Sequence, residues 1–384
     1  MWQMAGSIKL FGNNLFAVRF PSIVMGAMLV LIIFDLVRLC INSSVGYLAA
    51  FLFSFYAPVF GMSSGYSGMD HNTIAFIFYT TASIWAWIKF EKTKKPGWII
   101  VMGLFSGCAI LIKWLTGLLV FSGFGFYHLF FTKDFFTKTT LLVLFYALAA
   151  CTIVALPWQL FTLYKYPLEA QYELHYNGLH FTQALEGHSE ERWYYINLLK
   201  EHYKMLQSLI FIGFGFCILQ YKRYPLALSL MAMCILVYAF FTIAETKMDE
   251  YVLLVSPLMI TFIAFAVFEI CRLVPGNWIN SKKMMLVITL VLGFVLFGYT
   301  EIINSHSDSA VGWTHLYRSR KIRDTNWIIN ERSSLKENDV IIDCPEFEHV
   351  DGMFFLNNTC YGYLNNIQRQ QLLNQKKHLI EFGS

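Results

Sequence analysis

The sequence predicts an all-α polytopic membrane protein of about ten transmembrane helices, followed by a small C-terminal α/β extracytoplasmic domain. Three observations carry that expectation. Apolar residues make up 57% of the chain against 14% charged, with a mean hydropathy of +0.50. The apolar residues gather into runs long enough to cross a bilayer, about 17 to 25 residues. Lys and Arg collect in alternate loops between those runs, as the positive-inside rule expects.

In chain order, spans are expected near 22–40, 46–62, 73–89, 98–112, 115–131, 139–161, 206–220, 225–243, 251–273 and 284–300. The pair around Lys113 also fits one broken or re-entrant element. Arg38, then Lys89, Lys92, Lys94 and Lys95, then Lys133 and Lys138, then Lys222 and Arg223, then Arg272, Lys282 and Lys283 fall on one side when loops are numbered alternately. That side is expected to be cytoplasmic. The opposite side receives residues 61–72, the turn at Lys113, residues 162–207, residues 245–251 and everything after 300.

Past residue 300 the texture becomes polar, with helix-like stretches at 318–335 and 368–379 and strand-like runs at 340–342 and 353–356. The domain division is therefore 1–300 for the transmembrane part and 301–384 for the tail. The net charge of +4 is spread in short clusters, which suits membrane orientation and not a nucleic-acid surface. Six of the eight cysteines lie in or beside apolar runs, where a small hydrophobe is expected; Cys344 and Cys360, in the tail, are the two placed to pair.

Several residues stand out chemically. Asp70 lies in Gly65-Tyr66-Ser67-Gly68-Met69-Asp70-His71-Asn72, where an acid and a histidine suit a divalent metal or a sugar hydroxyl, and where Asp and Asn equally suit the N-cap of the next span. Lys113 interrupts an apolar run, so it faces a cavity or a partner, or snorkels to headgroups. Lys247 stands among acidic neighbours in Glu245-Thr246-Lys247-Met248-Asp249-Glu250-Tyr251, a setting that also fits a solvated turn. Residues 162–207 form a long loop rich in hydrogen-bonding groups, including His175, Asn177, His180, His188, Arg192, Trp193, Tyr194 and Tyr195; an amphipathic helix lying on the bilayer is the competing reading. Walker, dinucleotide, zinc and serine-elbow patterns are absent from the sequence.

Taken in order, Leu10-Phe11-Gly12, Phe16 to Ser22, Asp70, Gly107 through Lys113 with Gly117, Leu156-Pro157-Trp158, Gly187-His188 before Trp193-Tyr194-Tyr195, and Thr246-Lys247 with Tyr251 and Pro257 form a pattern. It resembles the GT-C glycosyltransferases of the protein-O-mannosyltransferase and aminoarabinose-transferase type, from residue 1 to about residue 260. The resemblance implies a cell-membrane transferase that passes a sugar from a polyprenyl-phosphate carrier to a lipid, glycan or protein acceptor at the outer face. It implies Lys113 and Lys247 as contacts of the donor phosphate, Asp70 beside the reacting centre, and His188, Tyr194, Tyr195 and Tyr251 around the substrates. In the family, an Asp-Glu pair in the first external loop supplies the essential carboxylate, upstream of the Leu-Phe-Gly element. The expectation is therefore that this sequence starts after that loop and lacks that carboxylate. A transporter or flippase of a polar or lipid-linked solute, or an inactive fragment, is the alternative; a transporter predicts charges midway through spans.

Overall fold

The computed structural model describes residues 2–64, 72–185, 187–273, 288 and 290–293, and 335–382 apart from 337, 345–348, 350–351, 354–355 and 357. The chain divides into two compact units, residues 22–298 and residues 1–21 with 299–384.

A first helix, α1 (Trp2–Phe11), ends at Gly12, and Asn14 caps the next helix by accepting from the Ala17 N–H at 2.9 Å. That helix is α2 (Leu15–Cys40). Then follow α3 (Ser43–Ser54) and α4 (Ala57–Ser64), bent by 56° at their junction. Next are α5 (Asn72–Thr93), α6 (Gly97–Lys113), α7 (Leu119–Tyr127) with a π-turn over His128–Thr132, α8 (Lys138–Lys165) and α9 (Pro167–Thr182). The last of the unit are α10 (Tyr194–Tyr203), α11 (Gln207–Leu219), α12 (Pro225–Ile243) and α13 (Ser256–Leu273). Among the described residues seven helices, or eight with the bent pair, are long and apolar enough to cross a membrane. The apolar stretch Gly97–Thr132 counts as one of these but is a hairpin, because His128 bonds Glu91 near the same end of α5 from which α6 departs.

Nine of the expected spans fall on these helices, with two adjustments. The span expected at 46–62 is the bent α3–α4 pair. The one expected at 206–220 begins at Tyr194, since α10 continues into α11 as one 26-residue stretch. Lys200, Glu201 and Lys204 lie on its polar side while Tyr195, Leu198, Leu199 and Tyr203 are buried, so its average hydropathy hides the helix. The span expected at 284–300 lies almost entirely outside the described residues.

Backbones approach closely where small residues permit it. A Cβ on Gly103 would stand 2.1 Å from the Ala147 carbonyl oxygen, and one on Gly107 2.6 Å from that of Cys151. This Gly-xxx-Gly stripe lets α6 lie against α8, the dispersion-driven contact available when lipid offers no hydrophobic gradient. At the far end of the bundle from Lys113, Lys89 pairs with Asp35 at 2.6 Å, and His128 bridges Glu91 at 2.9 Å to Asp134 at 2.7 Å. The buried Glu91 also meets Lys94 at 2.6 Å and accepts from the Trp87 indole N–H at 3.3 Å. Charge at the edge of an apolar bundle is tolerable when it is paired in this way.

In the other unit, β1 (Asp339–Ile342), β2 (Thr359–Cys360) and β3 (His378–Glu381) form a parallel sheet ordered β2-β1-β3. A helix, α14 (Asn366–Asn374), precedes β3 and starts with a capping box between Asn365 and Gln368. Parallel strands need such crossovers. The strand expected at 340–342 is β1. That expected at 353–356 is not formed: Met353 and Leu356 are helical. The helix expected over 368–379 stops at Asn374 because Lys376 takes a left-handed conformation, φ +59°, which turns the chain into β3. The stretch at 318–335 lies outside the described residues except Leu335.

Candidate functional site

At the Lys113 end of the 22–298 unit lies a cavity of about 800 Å³. Its walls come from the end of α6 with the following turn, the end of α8, one face of α9, the end of α12 and the 244–254 segment.

The first wall depends on a chain reversal. Trp114 takes φ +52°, and a 3-10 turn over Trp114–Leu118 folds back on α6. Gly117 sits so close that a Cβ there would be 2.5 Å from the Ile110 nitrogen, and the Ser106 hydroxyl donates to its carbonyl at 2.8 Å. The reversal leaves Lys113 in the last turn of α6 as the lysine lining the cavity among the described residues. Its ammonium stands 5.8 Å from the Tyr251 ring centroid, within cation–π range.

The second wall is α9, started by Pro167 at its first turn, with no buried residue of its own. Glu169, Glu173 and Asn177 recur every fourth residue and all line the cavity, joined by His180. Glu250 lines it from the other side. The cavity thus sets one ammonium against three carboxylates, with aromatic and aliphatic groups between.

A clasp holds α9 to the 244–254 segment. The Glu245 N–H donates to Phe181 O at 3.2 Å, the Thr246 N–H to His180 O at 3.0 Å and the Lys247 N–H to His188 O at 3.2 Å. The buried Thr246 hydroxyl accepts from the Leu185 N–H at 3.2 Å and donates to Gln183 O at 2.8 Å. Lys247, 4% exposed, turns back to the end of α12, donating to Ala244 O at 2.5 Å, Thr242 O at 3.2 Å and Phe241 O at 3.4 Å. It satisfies carbonyls a helix C-terminus leaves open. Burial, only partly offset by Glu245 and reinforced by Arg192, lowers its pKa below the ordinary lysine value.

The residues expected at the site therefore separate. Lys113 and Tyr251 line the cavity. Lys247 lies behind its wall. Tyr195 stacks under Lys247 at 5.8 Å, donates to Met248 O at 3.2 Å and accepts from the Met248 N–H at 3.1 Å, while Tyr194 donates to Asp249. His188 contributes its backbone to the clasp. These three hold the segment that carries Met248, Glu250 and Tyr251 into the cavity. Asp70 and His71 lie outside the described residues; the helix that follows them, α5, sends Phe76 into the cavity. Glu169, Glu173 and Glu250 were not expected, although the four-residue spacing on α9 is a signal that could have found the first two. Among the described residues no group of three or more metal-ligating side chains gathers.

Comparison with known proteins follows the same lines. Across 99% of this chain and 78% of the other, the fold superposes on ArnT from Cupriavidus metallidurans in the apo state with a TM-score of 0.69 at 14% identity. The chain shares the fold of that structure. The chain superposes equally widely on the same ArnT bound to undecaprenyl phosphate, at 0.66 and 12% identity. It superposes on the Archaeoglobus fulgidus oligosaccharyltransferase at 0.57 and 11%, over 96% of this chain and 53% of that one. In sequence, residues 1–158 match the family described as dolichyl-phosphate-mannose-protein mannosyltransferase. The chain is also 25% identical over 264 residues to an undecaprenyl phosphate-alpha-4-amino-4-deoxy-L-arabinose arabinosyl transferase of Pseudomonas fluorescens. That match covers 66% of this chain and 46% of the relative, so the chain spans less than half the length of that curated relative.

Proposed function

We propose that the chain belongs to a membrane glycosyltransferase that moves a sugar from a polyprenyl-phosphate carrier to a lipid, glycan or protein acceptor at the extracytoplasmic face. The observation that carries this reading is the position of Lys113, at the end of an apolar helix and in the wall of a cavity, where the phosphate of a lipid-borne donor would lie. A cation there favours the departing polyprenyl phosphate more as its negative charge grows. The names of the relatives, which act on dolichyl-phosphate and undecaprenyl-phosphate sugars, support the same donor class.

In this reading Lys113 is the phosphate contact and Tyr251 positions its ammonium. Glu169, Glu173 and Glu250 supply acceptors for the hydroxyls, or an ammonium group, of the sugar or acceptor. Lys247 acts from behind the wall, holding the Met248 to Tyr251 turn in place; a direct phosphate contact requires it to leave its three carbonyls. Asp70, just before α5, is the carboxylate the family pattern places beside the reacting centre. The cavity end and the tail face outward, consistent with lysines and arginines gathering at the opposite end.

The test is donor-lipid binding. The purified chain in nanodiscs should bind undecaprenyl phosphate, with affinity lowered about tenfold by Lys113→Ala, the loss of one charge-assisted contact. Equal binding of undecaprenol, which lacks the phosphate, would overturn the reading. Sidedness has its own check: a cysteine placed at Gly187 should react with an impermeant maleimide in intact cells, and one at Lys94 only after permeabilisation.

A further inference from the structure

In the tail, Cys344 follows β1 and Cys360 ends β2, which lies beside β1 in register, Ile341 against Cys360. The Cys344 N–H donates to the Tyr361 carbonyl at 3.0 Å, continuing the ladder between the two strands past its last paired residues. Both side chains are buried, 3% and 2% exposed, in one small apolar cluster with Ile341 and Leu356. They are also hydrogen-bonded to each other. Gly352 closes over the Cys360 sulfur so tightly that a Cβ there would stand 2.7 Å from it. The remaining six cysteines belong to the 22–298 unit or its spans.

We infer that Cys344 and Cys360 are joined by a disulfide in the mature protein, a covalent tie between β1 and β2. The inference rests on the extracytoplasmic placement of the tail proposed above, since disulfides persist in oxidising compartments. In the step, each thiol loses a proton and an electron and a sulfur–sulfur bond forms. The electrons and protons pass to the disulfide of a thiol–disulfide oxidoreductase, which leaves as the dithiol. Because both sulfurs are buried in the finished sheet, the exchange takes place during folding or local opening of the sheet. The tie has a physical use. A three-stranded sheet whose two described clusters contain only a handful of buried side chains is marginal alone, and small extracytoplasmic units compensate for thin cores with such links.

The experiment traps the redox state in place. Cells expressing the full chain are lysed into N-ethylmaleimide, and the protein is purified, digested without reduction and examined by mass spectrometry. The expected result is a peptide pair joined through Cys344 and Cys360 that separates on reduction. Recovery of both residues as maleimide adducts overturns the proposal. A parallel arm reduces the purified chain and incubates it with oxidised glutathione. Closure there but not in cells overturns the bond in vivo together with the outward placement of the tail. Failure to close in either arm overturns the pairing itself and leaves the placement untouched. A Cys344→Ser variant should lose the joined peptide without gaining another, whereas a new link from Cys360 to a different cysteine would mark the wild-type bond as adventitious.

Discussion

The ammonium of Lys113 stands 5.8 Å from the centroid of the Tyr251 ring, and this contact joins two segments that are far apart in sequence across one cavity. Lys113 is presented by the reversal after α6, and Tyr251 by a turn that the clasp around Thr246 and Tyr195 holds in place. A cation is attracted to the face of an aromatic ring. The ring therefore fixes where the positive charge sits.

That arrangement predicts separable effects in the two residues. On the proposed function, Lys113→Ala should lower sugar transfer about 10²- to 10³-fold, the usual loss for one electrostatic contact to a developing anion. Lys113→Arg should keep part of the activity, since the charge stays and the geometry moves. Tyr251→Leu, which removes the aromatic face, should weaken undecaprenyl phosphate binding a few-fold, and Tyr251→Phe, which keeps it, should weaken binding less. Transfer assays read the two Lys113 variants and binding isotherms in nanodiscs read all four, and unchanged affinity in Lys113→Ala would remove the lysine from the donor site.

Gly117 should tolerate nothing larger. A Cβ there meets backbone at 2.5 Å and 2.8 Å, neither of which can move without displacing α6. Gly117→Val should therefore cost about 3 kcal/mol or more, in the range of overpacked sites. Reduced thermal stability should come with loss of donor-lipid binding, because Lys113 moves with the turn. Wild-type stability in Gly117→Val would mean the turn does not pack on α6.

How much of this was legible in the sequence differs by residue. The spans were, because a bilayer demands long apolar runs and the loops mark their ends with charge. The cavity-lining position of Lys113 was one of two readings the sequence offered, because a lysine inside such a run either faces a cavity or partner or snorkels to headgroups. The α10 helix was hidden by Lys200, Glu201 and Lys204 on its polar side, which dilute any average over the window. Lys247 could not be resolved: a lysine among acidic neighbours reads the same whether it reaches a phosphate or folds back onto carbonyls three to six residues away. Glu169 and Glu173 were obscured for another reason. In a polar loop a carboxylate is unremarkable until the fold brings it opposite a cation.

Lys247 also predicts a pH effect. Its folded pKa is lowered by burial, so protonated Lys247 is disfavoured in the folded state relative to the unfolded chain. That penalty is present at neutral pH and is relieved as pH rises through the folded pKa toward the ordinary value of about 10.4. The melting temperature of wild type relative to Lys247→Met should accordingly rise with alkalinity over that window. A difference that stays flat or falls would show that the ammonium is as well accommodated folded as unfolded.

The last prediction concerns the opposite end of the bundle. Glu91 is 8% exposed and meets His128 at 2.9 Å, Lys94 at 2.6 Å and the Trp87 indole. Lys94 is largely solvated, so His128 is the buried partner. Removing one member of a buried pair strands the other's charge, at a cost of about 3–5 kcal/mol for a fully buried pair. Because Lys94 remains, His128→Ala should cost somewhat less, about 2–4 kcal/mol. Replacing both residues with leucine should cost less than His128→Ala alone, since no stranded carboxylate remains. Acid should also weaken this end. Burial alone would raise the pKa of Asp134, but hydrogen bonds from Thr132 and His128 overcome it and lower the pKa from 3.8. The stabilisation from Asp134 is thus present above the unfolded carboxylate value and lost as pH falls through the folded one. Thermal melts of the single and double variants in detergent read these differences. Donor-lipid binding at the Lys113 end should persist in any variant that remains folded. A double variant less stable than His128→Ala would mean that the pair contributes more than the charge it neutralises.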